Sequence, residues 1–405
     1  MAKIAVLGYG TVGSGVAEVI NKNGKSIAHK AGEEISIKYV LDLRDFPGDP
    51  IQEKITHDFE DILKDEEVSV VVEVMGGVNP AYDFSKRAIL AKKSVCTSNK
   101  ELVAQHGLEL LELAKENGVN YLFEASCGGG IPIIRPLNSA LTADVVDEIT
   151  GILNGTTNYI LSKMTSEDLD FASVLADAQD KGYAEKNPEA DVEGHDPARK
   201  IAILSSLAYG HHVDYKDVYT EGITKITPFD IKYASKLGYV IKLLATSKRT
   251  KDGIFTMVCP AFVGTNSPLY SVNDVYNAIF VHGNVLGDAM FYGSGAGKLP
   301  TASAVVADVI DCVKNADKNI MISWSKDKLE LMDVKKVDSR FFVRKEGSLT
   351  ASLSDVEAIF GEVTPVGLTD AAEEFGFVTP HMTEEDFDEK VKQLGGCIQR
   401  IRIKD

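Results

Sequence analysis

A chain of 405 residues exceeds one ordinary core and leads to an expectation of two or three domains. Its 44% hydrophobic and 25% charged content belongs to a folded globular protein and excludes a disordered or fibrous class. With 43 Lys and Arg against 60 Asp and Glu, the formal charge of −17 repels phosphate backbones and anionic membranes, so nucleic acid and membrane are not expected partners.

Lys3–Leu7 reads as a strand at once and not as a signal peptide, and no run of about 18 apolar residues predicts a spanning helix. Cys96, Cys127, Cys259, Cys312 and Cys397 are dispersed, without a C-x-x-C pair, which argues for a reducing cytoplasm and against zinc. Apolar runs at Ile4–Leu7, Ile35–Leu41, Val68–Val74, Ser94–Thr97 and Asn120–Phe123 predict buried parallel strands. Between them Val12–Asn21, Phe59–Lys64, Ala81–Lys92 and Gly107–Asn117 carry apolar residues at helical spacing, which makes a doubly wound α/β sheet of Rossmann type.

The pattern changes at Gly128-Gly-Gly130-Ile-Pro132, where the first domain is expected to end. A long mixed α+β segment, 131–294, leads to Ser294-Gly-Ala-Gly297 and a helix over Thr301–Asn315, which would return to the first domain and make it discontinuous (1–130 plus about 295–320). From about residue 321 the order is βαββαβ after a leading strand, with Phe341–Arg344, Leu353–Phe360, Glu362–Pro365, Gly376–Thr379, Thr383–Leu394 and Ile398–Ile403 as its clearest members. This third unit carries no evident chemistry, which suits a regulatory or oligomerising role.

Gly8-Tyr-Gly10-Thr11-Val12-Gly13 is G-x-G-x-x-G between a strand and a helix. That context allows a tight turn, close approach of backbone to a pyrophosphate, and tight helix–strand packing. Past the second strand, Asp42-Leu-Arg44-Asp45 offers a carboxylate for a ribose 2′-hydroxyl and an arginine for a 2′-phosphate; NADP is favoured over NAD through Arg44. Glu73-Val-Met-Gly76-Gly77 and Thr97-Ser98-Asn99-Lys100 fall at the carboxyl edge of the sheet, where open α/β sheets bind ligands, so the Gly76 backbone is expected near the nicotinamide-side ribose, with Ser98 and Lys100 beside the cofactor.

The richest stretch comes later: Ala178, Gly182-Tyr183-Ala184-Glu185, Asn187-Pro188, Asp191, Gly194, Asp196-Pro197 and Lys200. Three carboxylates and a lysine stand among turn-forming residues ahead of an apolar helix, Ala198–Tyr209, with Asp196 expected as its N-cap and Pro197 as its first residue. Lys200 would then lie on the first turn, where the helix dipole and the carboxylates pull its pKa in opposite directions. A lysine so held suits protonation of a carbonyl oxygen that is becoming an alkoxide.

From Ala178 to Lys200 the pattern A-x3-G-Y-A-E-x-N-P-x2-D-V-x-G-x-D-x3-K closely resembles the signature of the homoserine dehydrogenase family, as does Gly151-Ile-Leu-Asn-Gly-Thr-Thr-Asn-Tyr-Ile-Leu161. With the glycine loop, Ser98-Asn99-Lys100 and Glu124–Ile133, the resemblance spans roughly residues 1 to 320. It implies NAD(P)H-dependent reduction of aspartate semialdehyde to homoserine. Lys200 is implied as proton donor, Lys100 as its assistant, and Asp196 as orienting residue or substrate contact. Thr156, Tyr183, Glu185 and Asp191 are implied around the amino acid, whose ammonium needs carboxylate partners. Gly182 and Gly297 would approach the cofactor. A monovalent cation, usually sodium, is implied at Glu124, Cys127, Gly129 and Ile131, mostly through carbonyl oxygens; Cys127 departs from the more usual valine. Members are commonly dimers or tetramers. The C-terminal unit is similar to ACT domains, which bind amino-acid effectors, but Lys345-Glu-Gly-Ser-Leu-Thr350 replaces their Asp-x-Pro-Gly turn.

Two rival readings make separable predictions. An acylating semialdehyde dehydrogenase would use Cys127 as a thiolate on an exposed turn. A nucleotide- and amino-acid-sensing protein would bind cofactor without turnover, against which stand Lys100, Asp196 and Lys200.

Overall fold

The computed structural model describes residues 1–404. The chain opens with β1 (Ala2–Leu7), α1 (Thr11–Ala31), β2 (Ile35–Leu41), β3 (Ile55–Thr56), α2 (Phe59–Lys64), β4 (Val68–Glu73), α3 (Ala81–Leu90), β5 (Ser94–Thr97), α4 (Lys100–Asn117) and β6 (Tyr121–Leu122). The six strands form one parallel sheet in the order β3-β2-β1-β4-β5-β6. That is the dinucleotide-binding order, with its crevice where β1 meets β4. Ile4 to Leu7 and Val70 to Val72 are almost completely buried, as expected of strands covered on both faces.

Two helices are longer than their apolar spacing predicts. α1 continues past Asn21 to Ala31 because Ile27 and Ala31 extend its buried stripe, and it stops where Gly32 adopts a left-handed conformation. α4 begins at Lys100 and not at Gly107, because the Asn99 side chain accepts the Leu102 N–H and nucleates the helix about two turns earlier.

The chain continues with β7 (Val146–Ile152), α5 (Gly155–Glu167), α6 (Phe171–Asp180), α7 (Glu189–Val192), α8 (His195–Tyr209), β8 (His211–His212), β9 (Tyr219–Thr220), α9 (Pro228–Lys236), β10 (Tyr239–Thr250), β11 (Gly253–Gly264), β12 (Tyr276–Gly283) and β13 (Gly287–Ser294). After them come α10 (Lys298–Lys314), β14 (Ser325–Lys328), β15 (Asp338–Glu346), α11 (Leu349–Phe360), β16 (Thr364–Val366), β17 (Glu374–Val378), β18 (Met382–Thr383), α12 (Glu384–Gln393) and β19 (Gln399–Lys404).

Two compact units result, and the division passes within α8. The first comprises Met1–Val146, Ala202–Tyr215 and His282–Leu329; the second comprises Asp147–Ile201, Lys216–Val281 and the chain from Glu330 on. Within the first unit α10 packs on α1, where Gly15 lets the helices approach so closely that a Cβ would sit 2.8 Å from the Lys298 carbonyl.

The second unit is built on the β10–β11 hairpin, paired without a break from Tyr239↔Gly264 to Thr250↔Gly253. β7 adds antiparallel to β10, and β19 adds parallel to β11 through Ala261↔Arg402. β15 then pairs with β19 and β17, and β17 with β16. The βαββαβ order beyond β14 is present, with the two-residue β18 added between β17 and α12, and encloses its own core of Phe341, Phe360, Phe375, Phe377 and Phe387. Through the β11–β19 pairing this segment joins the second unit's sheet and groups with that unit. The first unit likewise runs to Val146, past the boundary expected near residue 131.

Candidate active site

In the first unit the glycine loop joins β1 to α1. A Cβ on Gly13 would lie 2.0 Å from the Gly8 carbonyl oxygen, so only glycine lets helix and turn pack this closely, whereas one on Gly10 would meet nothing within 4 Å. Gly10 occupies the N-cap of α1 with no side chain capping it, and Thr11, Val12 and Gly13 form the first turn. Uncovered N–H groups at a helix start, with open space in front, fit a pyrophosphate.

Past β2, Asp42 and Arg44 act together instead of competing. The guanidinium grips the carboxylate through Nε (2.9 Å) and Nη2 (3.0 Å), and Asp42 also accepts the Tyr9 N–H at 2.7 Å. The arginine's hydrogen bond holds the Asp42 carboxyl well below the usual carboxylate range. Arg44 remains 63% exposed and lies over the Phe46 ring, so it is oriented beside the glycine loop and still accessible. Gly76 is exposed just after β4, the Ser98 N–H donates to the Glu73 carbonyl, and Lys100 is the first residue of α4.

The Glu124 carboxylate, expected beside a cation, is spent on the backbone: it accepts the N–H groups of Ile133 (2.6 Å), Ile134 (2.9 Å) and Arg135 (2.7 Å). Among the described residues no three His, Cys, Asp or Glu side chains are grouped to hold a metal ion, so any cation here would rest on carbonyl oxygens. Gly129 has φ +56° and packs backbone against backbone, a Cβ there falling 2.4 Å from the Gly295 carbonyl. The Ile131 N–H donates to the Gly128 carbonyl, and Gly297 stands at the N-cap of α10. Cys127 is 0% exposed, which contradicts the exposed turn that a thiolate nucleophile would need.

In the second unit one cluster gathers most of the expected residues. Lys200 Nζ donates to Asp196 Oδ2 and to the Leu153 carbonyl, both at 2.7 Å. Lys200 is 8% exposed and Asp196 3%, so the pair is withdrawn from water. Asn154 ties the cluster together: its amide donates to Asp191 Oδ1 (2.7 Å) and Asp196 Oδ2 (2.9 Å), and its Oδ1 caps α5 by accepting the Thr157 N–H. Sequence reading assigned Asn154 no role, although an asparagine just ahead of a helical pattern is a cap signal.

α8 begins at His195, so Asp196 is a first-turn residue and not the N-cap. The earlier start puts Asp196 and Lys200 four apart on one helical face, where their side chains meet. The Thr156 hydroxyl donates to the Tyr183 carbonyl at 2.6 Å, and the Tyr183 ring meets Tyr159 edge-on at 5.1 Å. Gly182, Tyr183 and Glu185 are exposed, and the structure does not bring the Glu185 side chain into the Lys200 cluster.

An ammonium held by a carboxylate and a carbonyl, with further carboxylates nearby, suits an amino-acid substrate whose oxygen takes up a proton. Comparison with known proteins agrees. Residues 132–310 match the homoserine dehydrogenase family model and residues 8–124 match the model for the NAD-binding domain of that enzyme. A homoserine dehydrogenase of Synechocystis sp. is 40% identical, covering 97% of this chain and 95% of the relative. The crystal structure of a homoserine dehydrogenase from Thiobacillus denitrificans superposes with a TM-score of 0.92 at 33% identity, covering 100% of this chain and 98% of that one. A hyperthermophilic archaeal homoserine dehydrogenase in complex with NADPH superposes with a TM-score of 0.66 at 26% identity, covering 77% of this chain and 97% of that one. The chain therefore belongs to the homoserine dehydrogenase family, oxidoreductases with an NAD(P)-binding domain.

Proposed function

We propose that Lys200 is the proton donor in reduction of L-aspartate 4-semialdehyde to L-homoserine, and that Asp196 and the Leu153 carbonyl orient its ammonium. The buried Lys200–Asp196 pair is the observation that carries this reading. The nicotinamide cofactor, when bound, supplies hydride to the carbonyl carbon. As negative charge grows on the carbonyl oxygen, the Lys200 ammonium stabilises it and then transfers a proton. Lys100 assists at the same oxygen, an assignment supported by family likeness. Asp191 and Glu185 accept the substrate ammonium, and Thr156 and Tyr183 bound the amino-acid site; the shared Asn154 amide supports Asp191 most directly.

NADP is favoured over NAD because Arg44 is held, exposed, beside the glycine loop, and the archaeal relative carries NADPH. Gly182 and Gly297 approach the cofactor in this reading. A sodium ion, if held, sits on carbonyl oxygens of Glu124, Cys127, Gly129 and Ile131. The enzyme acts in the cytoplasm, in threonine and methionine biosynthesis, as a homodimer or homotetramer, with its ACT-like segment open to an amino-acid effector. No helix among the described residues is long and apolar enough to cross a membrane.

The test is absorbance in the reduced-nicotinamide band with L-homoserine and each cofactor. Steady appearance of reduced cofactor, faster with NADP, is expected; cofactor binding without turnover would support the sensing protein instead.

A further inference from the structure

Glu73 ends β4 and is 0% exposed, between the two loops that leave the carboxyl edge of the first unit's sheet. Its Oε1 accepts the Met75 N–H at 2.8 Å, and its Oε2 accepts the Thr97 hydroxyl at 2.6 Å. Thr97 Oγ1 in turn accepts the Asn99 N–H at 2.9 Å. Asn99 donates its side-chain amide to the Gly77 carbonyl at 2.6 Å, while its Oδ1 caps α4. These bonds close a ring: Glu73 to Thr97, Thr97 to Asn99, Asn99 to Gly77, and Gly77 back along the chain to Glu73. One carboxylate thus sets both the Met75-Gly76-Gly77 loop and the Ser98-Asn99-Lys100 segment.

We propose that Glu73 is a positioning residue whose ionised carboxylate, through Met75 and Thr97, holds these two loops in the geometry that binds the nicotinamide coenzyme. The proposal rests on the reading that Gly76 and Ser98–Lys100 face that coenzyme. An ionised carboxylate accepts both hydrogen bonds at once. A protonated one has a donor to place: either the Met75 N–H loses its acceptor, or Thr97, already accepting from Asn99, must turn its own proton away.

The groups around Glu73 leave it close to the switching range. Its partners Met75, Thr97 and Asn99 are neutral, and burial raises its carboxyl to about 7 against their downward pull. The titratable group that feels its charge is the buried Tyr121 hydroxyl on β6, itself raised chiefly by burial. From β1 the paired residue is apolar Leu7.

The test is NADH affinity, read from coenzyme fluorescence between about pH 5.5 and about pH 9, in wild type, Glu73→Gln and Thr97→Val. NADH avoids a 2′-phosphate, whose own titration near about pH 6 would overlap. Wild-type affinity is expected to rise about tenfold as Glu73 ionises, while Glu73→Gln stays at the weak acid-side value throughout. Thr97→Val removes a hydrogen bond that lowers the Glu73 pKa, so its midpoint is expected to move to higher pH; a merely structural role would leave the midpoint in place. Wild-type affinity and pH dependence in Glu73→Gln would overturn the proposal. Should that variant not fold, an unmoved midpoint in Thr97→Val overturns it. Absence of NADH and NADPH binding to wild type would instead overturn the coenzyme reading beneath it.

Discussion

Replacing Lys200 separates its chemistry from its role in the fold. At 2.7 Å from Asp196, and with an effective dielectric of about 20, the gross attraction is about 6 kcal/mol, most of it offset by withdrawing both charges from water. Removing one partner of such a buried pair typically costs about 3–5 kcal/mol, because the other is left uncompensated. Lys200→Met is therefore expected to consume a large part of a stability of about 5–15 kcal/mol. Asp196→Asn added to it should restore part of the loss, since Asn154 then faces a neutral partner.

Lys200→Arg keeps the positive charge but not a proton that can be released near neutral pH. It should fold and lose about 10²–10⁴-fold in kcat, the range for one general acid. Thermal melts of the three variants, with initial rates of homoserine oxidation and cofactor titrations in parallel, read both effects. A folded Lys200→Arg with near-normal kcat would remove Lys200 from the chemistry. A Lys200→Met that melts like wild type would refute the energetic argument.

Arg44→Ala should raise KM for NADP(H) more than for NAD(H) without lowering the melting temperature, since the side chain is 63% exposed; equal effects would pass discrimination to Asp42 or Asp45. Glu185→Gln should weaken homoserine binding by about 1.5–3 kcal/mol, the scale of a hydrogen bond to a charged group, with folding unchanged. An analogue lacking the ammonium should not distinguish that variant from wild type, and equal weakening of both ligands would make Glu185 scaffold. Cys127→Ala should retain turnover, whereas complete loss would revive a thiolate mechanism.

The first unit was largely legible because its signals are local. A run such as Ile4–Leu7 is buried on both faces, and Gly13 answers to a close contact with Gly8, five residues away. The central segment was not, because β10 and β11 show buried residues in unbroken runs that follow neither the period of a strand nor that of a helix. Their meaning comes from pairing, and Ala261↔Arg402 joins positions no local pattern connects.

The same limit applies at the site. Lys200 and Asp196 stood out by residue type, and their contact needed only the helix to begin at His195. Asn154 and Glu73 passed unassigned because their importance lies in buried partners, Asp191 and Asp196 for one, Met75 and Thr97 for the other. The family likeness named Glu124 for a cation, and only the structure shows its carboxylate bound to three backbone N–H groups.

The most direct measurement is a crystal structure of the enzyme with L-homoserine and oxidised cofactor bound. The substrate hydroxyl oxygen is expected within about 2.6–3.2 Å of Lys200 Nζ, the reach of direct proton transfer, with the substrate ammonium against Asp191 or Glu185. A substrate hydroxyl facing another donor, with Lys200 still closed on Asp196 and the Leu153 carbonyl, would contradict that role for Lys200.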